Sequence, residues 1–157
     1  MNRKEILNKI AIFSTLTDQE LEILQSSLQQ IEYDENITVF NENDAGDFMF
    51  IIENGVVDIK KQIPMSWGME TVRLARLQTG DIFGELSVFD EMPRSAAAIT
   101  FFKTTLLAIN KEHLQKFMLS NPTIAVKILT NLVQELSQRL RSTDEYVRDL
   151  TRKLFYL

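Results

Sequence analysis

Three patterns of apolar and polar positions follow one another along the chain. In residues 1–30, Ile6, Leu7, Ile10 and Ala11 recur at helical spacing, and Leu21, Ile23, Leu24 and Leu28 do so again. Thr17-Asp18-Gln19-Glu20 stands ahead of the second set as a capping box, predicting a helix start there. Between 31 and 110 the period changes. Ile37–Phe40, Phe48–Ile52, Val56–Ile59, Glu70–Leu77, Ala96–Phe101 and Thr104–Ile109 are short β-type runs, and Asn43–Asp47 and Glu53–Gly55 punctuate them with turn chemistry. No strand–helix–strand alternation is present, so an antiparallel sandwich or barrel is predicted.

From 111 to 157 the helical period returns. Ser120-Asn121-Pro122 predicts a cap followed by proline at the first helical position. No glycine or proline follows Pro122, and a helix from there to residue 157 would run roughly 54 Å. Leu129, Val133, Leu136, Leu140, Thr143, Val147, Leu150, Leu154 and Leu157 fall at alternating steps of four and three, an apolar heptad seam with Thr143 as its one polar member. A helix of this length outruns a compact domain, so the Leu129–Leu157 seam predicts a homodimer, the alternative being a helix folded back on its own β-domain.

Composition narrows the chemistry. The chain has 157 residues, no cysteine, one histidine and a formal net charge of −5. Disulfides, thiol catalysis, cysteine-ligated metals and a multi-histidine zinc site are excluded, and a nucleic-acid groove is disfavoured by the acidic balance. No apolar run approaches a membrane span, and the charged N-terminus is unlike a secretory signal, so a cytoplasmic protein without a membrane or nucleic-acid partner is expected. His113 falls near a helix start and reads as solvent-facing. Met65–Met69, with Trp67, reads as a hairpin tip packed on the barrel, the alternative being an exposed partner contact. Asp90-Glu91 and Asp144-Glu145 read as solvated faces. No base–nucleophile pair and no metal cluster is evident, so no catalytic residue is assigned.

The chemically informative stretch is Gly80–Ala97. Gly84 permits close backbone approach. Glu85–Phe89 can form one helical turn whose free N–H groups favour an anion. Arg94 follows Pro93 and leads into an apolar run, so its guanidinium starts partly buried and needs an anionic partner, either Glu85 or a bound phosphate.

Phe83, Gly84, Glu85, Leu86, Ser87 and Val88, then Pro93, Arg94, Ser95 and Ala96, resemble the phosphate-binding cassette of the cyclic-nucleotide-binding domain superfamily, which includes the catabolite activator protein, the regulatory subunits of cyclic-AMP-dependent protein kinase and cyclic-nucleotide-gated channels. Asp44–Val57 is similar to the family's earlier strand-turn-strand signature. The resemblance implies an eight-stranded antiparallel β-roll of jelly-roll type (a double-stranded β-helix) with N-terminal helices over 1–30, the roll over 31–110 with its cassette at 83–96, and C-terminal helices over 111–157, together one domain. It implies Glu85 on the ribose, and Gly84, Leu86, Ser87, Arg94, Ser95 and Ala96 around the cyclic phosphate. Arg139-Leu140-Arg141-Ser142-Thr143 resembles the activator-protein stretch that reaches the base, implying Thr143 and Arg139 there. The expected ligand is cAMP, with cGMP the second candidate; the further partner is an effector protein of unspecified identity. The expected function is non-catalytic sensing that repositions the C-terminal helix. Alternatives are the ligand-binding part of a transcription regulator, a ligand-free interaction module of the same fold, and a nucleotide-processing enzyme. Two departures stand out: Asn43 replaces a frequent glycine, a mild change because Asn tolerates left-handed backbone, and the sequence given stops at Leu157 with no helix-turn-helix after it.

Overall fold

A computed structural model gives the architecture and describes residues 3–155; the last seam position, Leu157, lies outside them. Helix α1 (Arg3–Lys9), a 3-10 turn (Ala11–Phe13) and α2 (Asp18–Ser26) form a helical layer. The capping box closes as the sequence predicts: the Glu20 N–H donates to Thr17 Oγ1 at 3.3 Å and the Thr17 N–H donates to Glu20 Oε2 at 2.7 Å.

Eight strands follow: β1 (Gln29–Tyr33), β2 (Thr38–Phe40), β3 (Phe48–Asn54), β4 (Val56–Met65), β5 (Gly68–Gln78), β6 (Ile82–Phe83), β7 (Ala97–Thr100) and β8 (Thr104–Asn110), with α3 (Glu85–Asp90) between β6 and β7. They make two antiparallel four-stranded sheets, ordered β1-β8-β3-β6 and β2-β7-β4-β5. This is the expected β-roll.

The middles of strands β3 and β8, Met49–Ile52 and Leu106–Ile109, are apolar without alternation because both of their faces are covered. Met49, Ile51, Leu107 and Ile109 face the helical layer, packing with Leu7, Phe13, Leu24, Ile124 and Ile128. Phe50, Ile52, Leu106 and Ala108 face the inside of the roll, with Val57, Phe83 and Ala98.

Helix α4 (Lys111–Ser120) is capped by Asn110, whose side chain accepts from the Glu112 N–H at 2.8 Å; His113 is exposed on its first turn. Helix α5 (Pro122–Phe155) has 34 residues, a length of about 51 Å. Asn121 does not cap it with its side chain: the amide donates back to the Phe117 carbonyl at 2.9 Å and closes α4 instead. The first third of α5 is pinned to the helical layer by Ile124, Ile128 and Leu132, by Asn131 donating to the Ile12 carbonyl (3.1 Å) and Thr15 Oγ1 (2.9 Å), and by the Lys127–Glu20 ion pair at 2.8 Å. From Ser137 to Phe155 every residue is exposed, including the seam positions Leu140, Val147, Leu150 and Leu154. The β4–β5 tip differs from expectation. Trp67 is 74% exposed, and its indole N–H donates to Glu70 Oε1 at 3.1 Å, so the hairpin satisfies its own tip instead of packing it on the barrel.

Candidate functional site

The cassette begins where β6 ends. Gly84 sits in the left-handed region at φ 74° and turns the chain from β6 into α3. A side chain at Gly84 would place its Cβ 2.5 Å from Arg94 Nη1 and 3.2 Å from the Phe48 carbonyl oxygen. Glycine is therefore required both for the turn and for the approach of Arg94. Gly46, in the loop before β3, plays a similar part: a Cβ there would lie 2.0 Å from Ser87 Cβ, so this loop packs directly on α3.

Arg94 is 4% exposed. Its Nη1 donates to the Gly84 carbonyl at 2.7 Å and its Nη2 to the Phe48 carbonyl at 2.6 Å. The guanidinium lies over the Phe40 ring, 4.1 Å from the centroid. Among the described residues, Arg94 Nε is the buried side-chain polar atom without a hydrogen-bond partner. Burial pushes the guanidinium below its ordinary pKa, and Asp47, Glu85 and Asp44 offset part of that at a distance. Of the two partners the sequence left open for Arg94, Glu85 is not the one: backbone carbonyls hold the guanidinium, and its charge is not paired with a contacting carboxylate.

Glu85, buried at the first position of α3, is engaged from α5 instead. Arg139 Nη1 donates to Glu85 Oε1 at 2.9 Å, and Arg139 also contacts Glu135 Oε1 one helical turn before it. Burial lowers the Arg139 pKa, but Glu85 and Glu135 outweigh it and leave the group above its ordinary value.

These groups surround a cavity of about 380 Å³, within the range of small-molecule sites. The structure brings Gly84, Glu85, Leu86, Ser87, Arg94, Ser95, Ala96 and Arg139 to its wall. Arg139, which the resemblance implied at the base, meets Glu85, the carboxylate expected to hold a ribose. Thr143 is not among the lining residues. It lies one turn farther along α5, exposed, with its hydroxyl donating to the Arg139 carbonyl at 2.9 Å. Sequence reasoning missed the apolar side of the cavity, formed by Phe40, Ile59, Ala75, Leu77, Ile82 and Phe83. It also missed the Asn41–Asp47 loop as a support. Asn43, at φ 70°, donates its N–H to the Arg94 carbonyl (2.8 Å), and the Arg94 N–H donates to the Asp44 carbonyl (2.9 Å). The turn chemistry of Asn43–Asp47 was the available signal.

Fold and site together define a class: a β-roll with a cavity at a short cassette helix, walled by two arginines and a carboxylate, one of the arginines coming from a C-terminal helix. The chain belongs to the cyclic nucleotide-binding domain family, whose pattern matches residues 30–121. It is 32% identical over 146 residues to the CRP-like cAMP-activated global transcriptional regulator of Mycobacterium tuberculosis, covering 93% of this chain and 62% of that protein. The crystal structure of the Thermus thermophilus catabolite activator protein matches with a TM-score of 0.80 at 28% identity, covering 90% of this chain and 63% of that one. A cyclic nucleotide-binding domain from Methylobacillus flagellatus matches with a TM-score of 0.78 at 31% identity, covering 94% and 80%. The chain spans about three fifths of the length of the curated bacterial regulators it matches. No helix among the described residues is long and apolar enough to cross a membrane.

Proposed function

We propose that the chain binds a cyclic purine nucleotide without transforming it, cAMP ahead of cGMP, and that binding biases the position of α5 relative to the roll. The observation that carries this reading is Arg94: a buried cation whose Nε–H has no partner, on the wall of a cavity that also presents a carboxylate. A buried guanidinium without a contacting counter-charge favours an anion. A monoanionic cyclic phosphate suits it, with Glu85 accepting from the ribose hydroxyl and the N–H groups of Leu86 and Ser87 and the Ser95 hydroxyl completing the cradle. The apolar wall of Ile59, Ala75 and Leu77 suits the face of a purine. Arg94 belongs to the roll and Arg139 to α5, so a ligand reaching both walls would favour one arrangement of the two by its difference in affinity between them.

The exposed seam from Leu140 to Leu154 supports a dimer in which two α5 helices pair. Thr143, polar within that seam, would then face the base near the subunit boundary. The cAMP-activated regulator named above and the coverage of three fifths favour, as a second reading, that this chain is the sensing part of a regulator.

Titration calorimetry with cAMP, cGMP and linear AMP tests the proposal. Heat is expected with the cyclic nucleotides and loss of it in Glu85→Ala, with unchanged nucleotide recovered by chromatography; no heat with either cyclic nucleotide overturns the reading, and appearance of AMP overturns the non-catalytic part. Light scattering tests the dimer against the 18.2 kDa chain mass.

A further inference from the structure

The ladder between β4 and β7 ends at the pair Lys60–Ala97. Beyond it the strands part: β4 continues with β5 alone, and the other chain runs back through Ala96 and Ser95 to Arg94. A carbonyl at such a fork has lost its ladder donor and needs another. At Ser95 a side chain supplies it, Lys61 Nζ donating to the Ser95 carbonyl at 2.5 Å. The alternation of β4 sends Lys61 out on the same face as Ile59, which lines the cavity. The bulge opposite Ile59 and Lys60 falls on β5, at Leu74, and leaves that alternation intact.

Lys61 is itself held. Glu42 Oε1 lies 2.9 Å from its ammonium, and Glu42 Oε2 accepts the Gln62 N–H at 3.2 Å. The two residues after Glu42 grip Arg94 by its main chain, through the Asn43 N–H and the Asp44 carbonyl. Loop and strand thus hold residues 94 and 95 with three hydrogen bonds, and neither Lys61 nor Glu42 lines the cavity.

We infer that Lys61, locked by Glu42, is a positioning residue for the anion end of the site: it fixes the Arg94–Ser95 main chain, and through it the place of the Arg94 guanidinium and the Ser95 hydroxyl. The inference rests on the cyclic-nucleotide reading of the cavity. It assigns a role to a lysine that does not line the cavity.

The test uses cAMP and the two diastereomers of its phosphorothioate, which differ only in which non-bridging oxygen is sulfur. A correctly placed Arg94 distinguishes them. In Lys61→Met the affinity for cAMP is expected to fall about 3- to 10-fold, and the ratio of affinities for the two diastereomers is expected to move toward one. Lys61→Arg keeps charge and donor and is expected to restore both. A Lys61→Met variant with an unchanged ratio overturns the proposal, even where its melting temperature drops, because the lysine would then stabilise the loop without placing the arginine. A ratio already near one in the wild type also overturns it. Absence of binding by the wild-type chain overturns the assignment of the cavity first and the positioning role with it.

Discussion

Two arginines stand on the wall of one cavity and solve the problem of burial in opposite ways. Arg94 comes from the roll, is almost fully buried, and is held by carbonyl oxygens and an aromatic face. Arg139 comes from α5, is half exposed, and is held between the carboxylates of Glu85 and Glu135. Burial depresses the Arg94 pKa, whereas the carboxylates raise that of Arg139 despite its burial. Carbonyl dipoles orient a guanidinium but bring no counter-charge. Arg94 is therefore fixed in place with its charge uncompensated at contact range, which is what a preformed anion receptor needs. Arg139 is neutralised and spans two elements, which is what a fastener needs. The same side chain suits the part of a receptor or of a fastener according to whether its partners carry charge.

The comparison breaks most easily at Arg94. Arg94→Met keeps much of the side-chain volume and removes the charge. Cyclic-nucleotide affinity is expected to fall by at least about 100-fold, the size of a lost charge-assisted contact to phosphate. Stability should change much less, because removing a buried, unpaired charge offsets part of the cost of leaving two carbonyls without a donor. Calorimetry and thermal unfolding on the same samples separate the two effects. Binding within tenfold of wild type would make Arg94 a second fastener and end the contrast.

A smaller effect is expected at Gly84→Ala. The added Cβ collides with Arg94 Nη1, and the left-handed φ disfavours any L side chain. Strain of about 1–3 kcal/mol should appear as lower stability, together with a fall in affinity of about tenfold as the guanidinium is displaced. A variant destabilised but binding normally would show that the position of Arg94 does not depend on this contact.

Local rules made the architecture legible. Apolar runs bounded by Asn43–Asp47 and Glu53–Gly55 gave strands, Thr17 and Glu20 gave the start of α2, and the absence of breakers after Pro122 gave α5. Glu85 and Arg94 were legible as a pair of chemical groups because the cassette concentrates them within ten residues. Their actual partners were not. Arg139 is 54 residues from Glu85, and Arg94 donates to main-chain carbonyls that any sequence possesses. The apolar wall was hidden for a different reason: Ile59, Ala75 and Leu77 have the same strand periodicity as core residues, and only the packing leaves them facing a cavity. Thr143 stood out as an exception in a seam, but a seam is a statement about two helices, and within one chain its hydroxyl turns back to its own helix.

The finest discrimination concerns Arg139. If it competes with a ribose for Glu85, its removal raises affinity; if it orients Glu85 for the ribose, removal lowers it. The geometry favours orientation. Arg139 engages Oε1 of the carboxylate, which leaves Oε2 for a hydroxyl donor. The carboxylate is 6% exposed and the guanidinium 49%, so the pair is partly screened and its removal should be mild. Arg139→Met is expected to lower nucleotide affinity about threefold, with faster amide hydrogen exchange along α5 near Arg139, where the roll loses its grip on the helix. A rise in affinity with the same change in exchange would instead make Arg139 an internal competitor, and the fastener would then be a brake on the receptor.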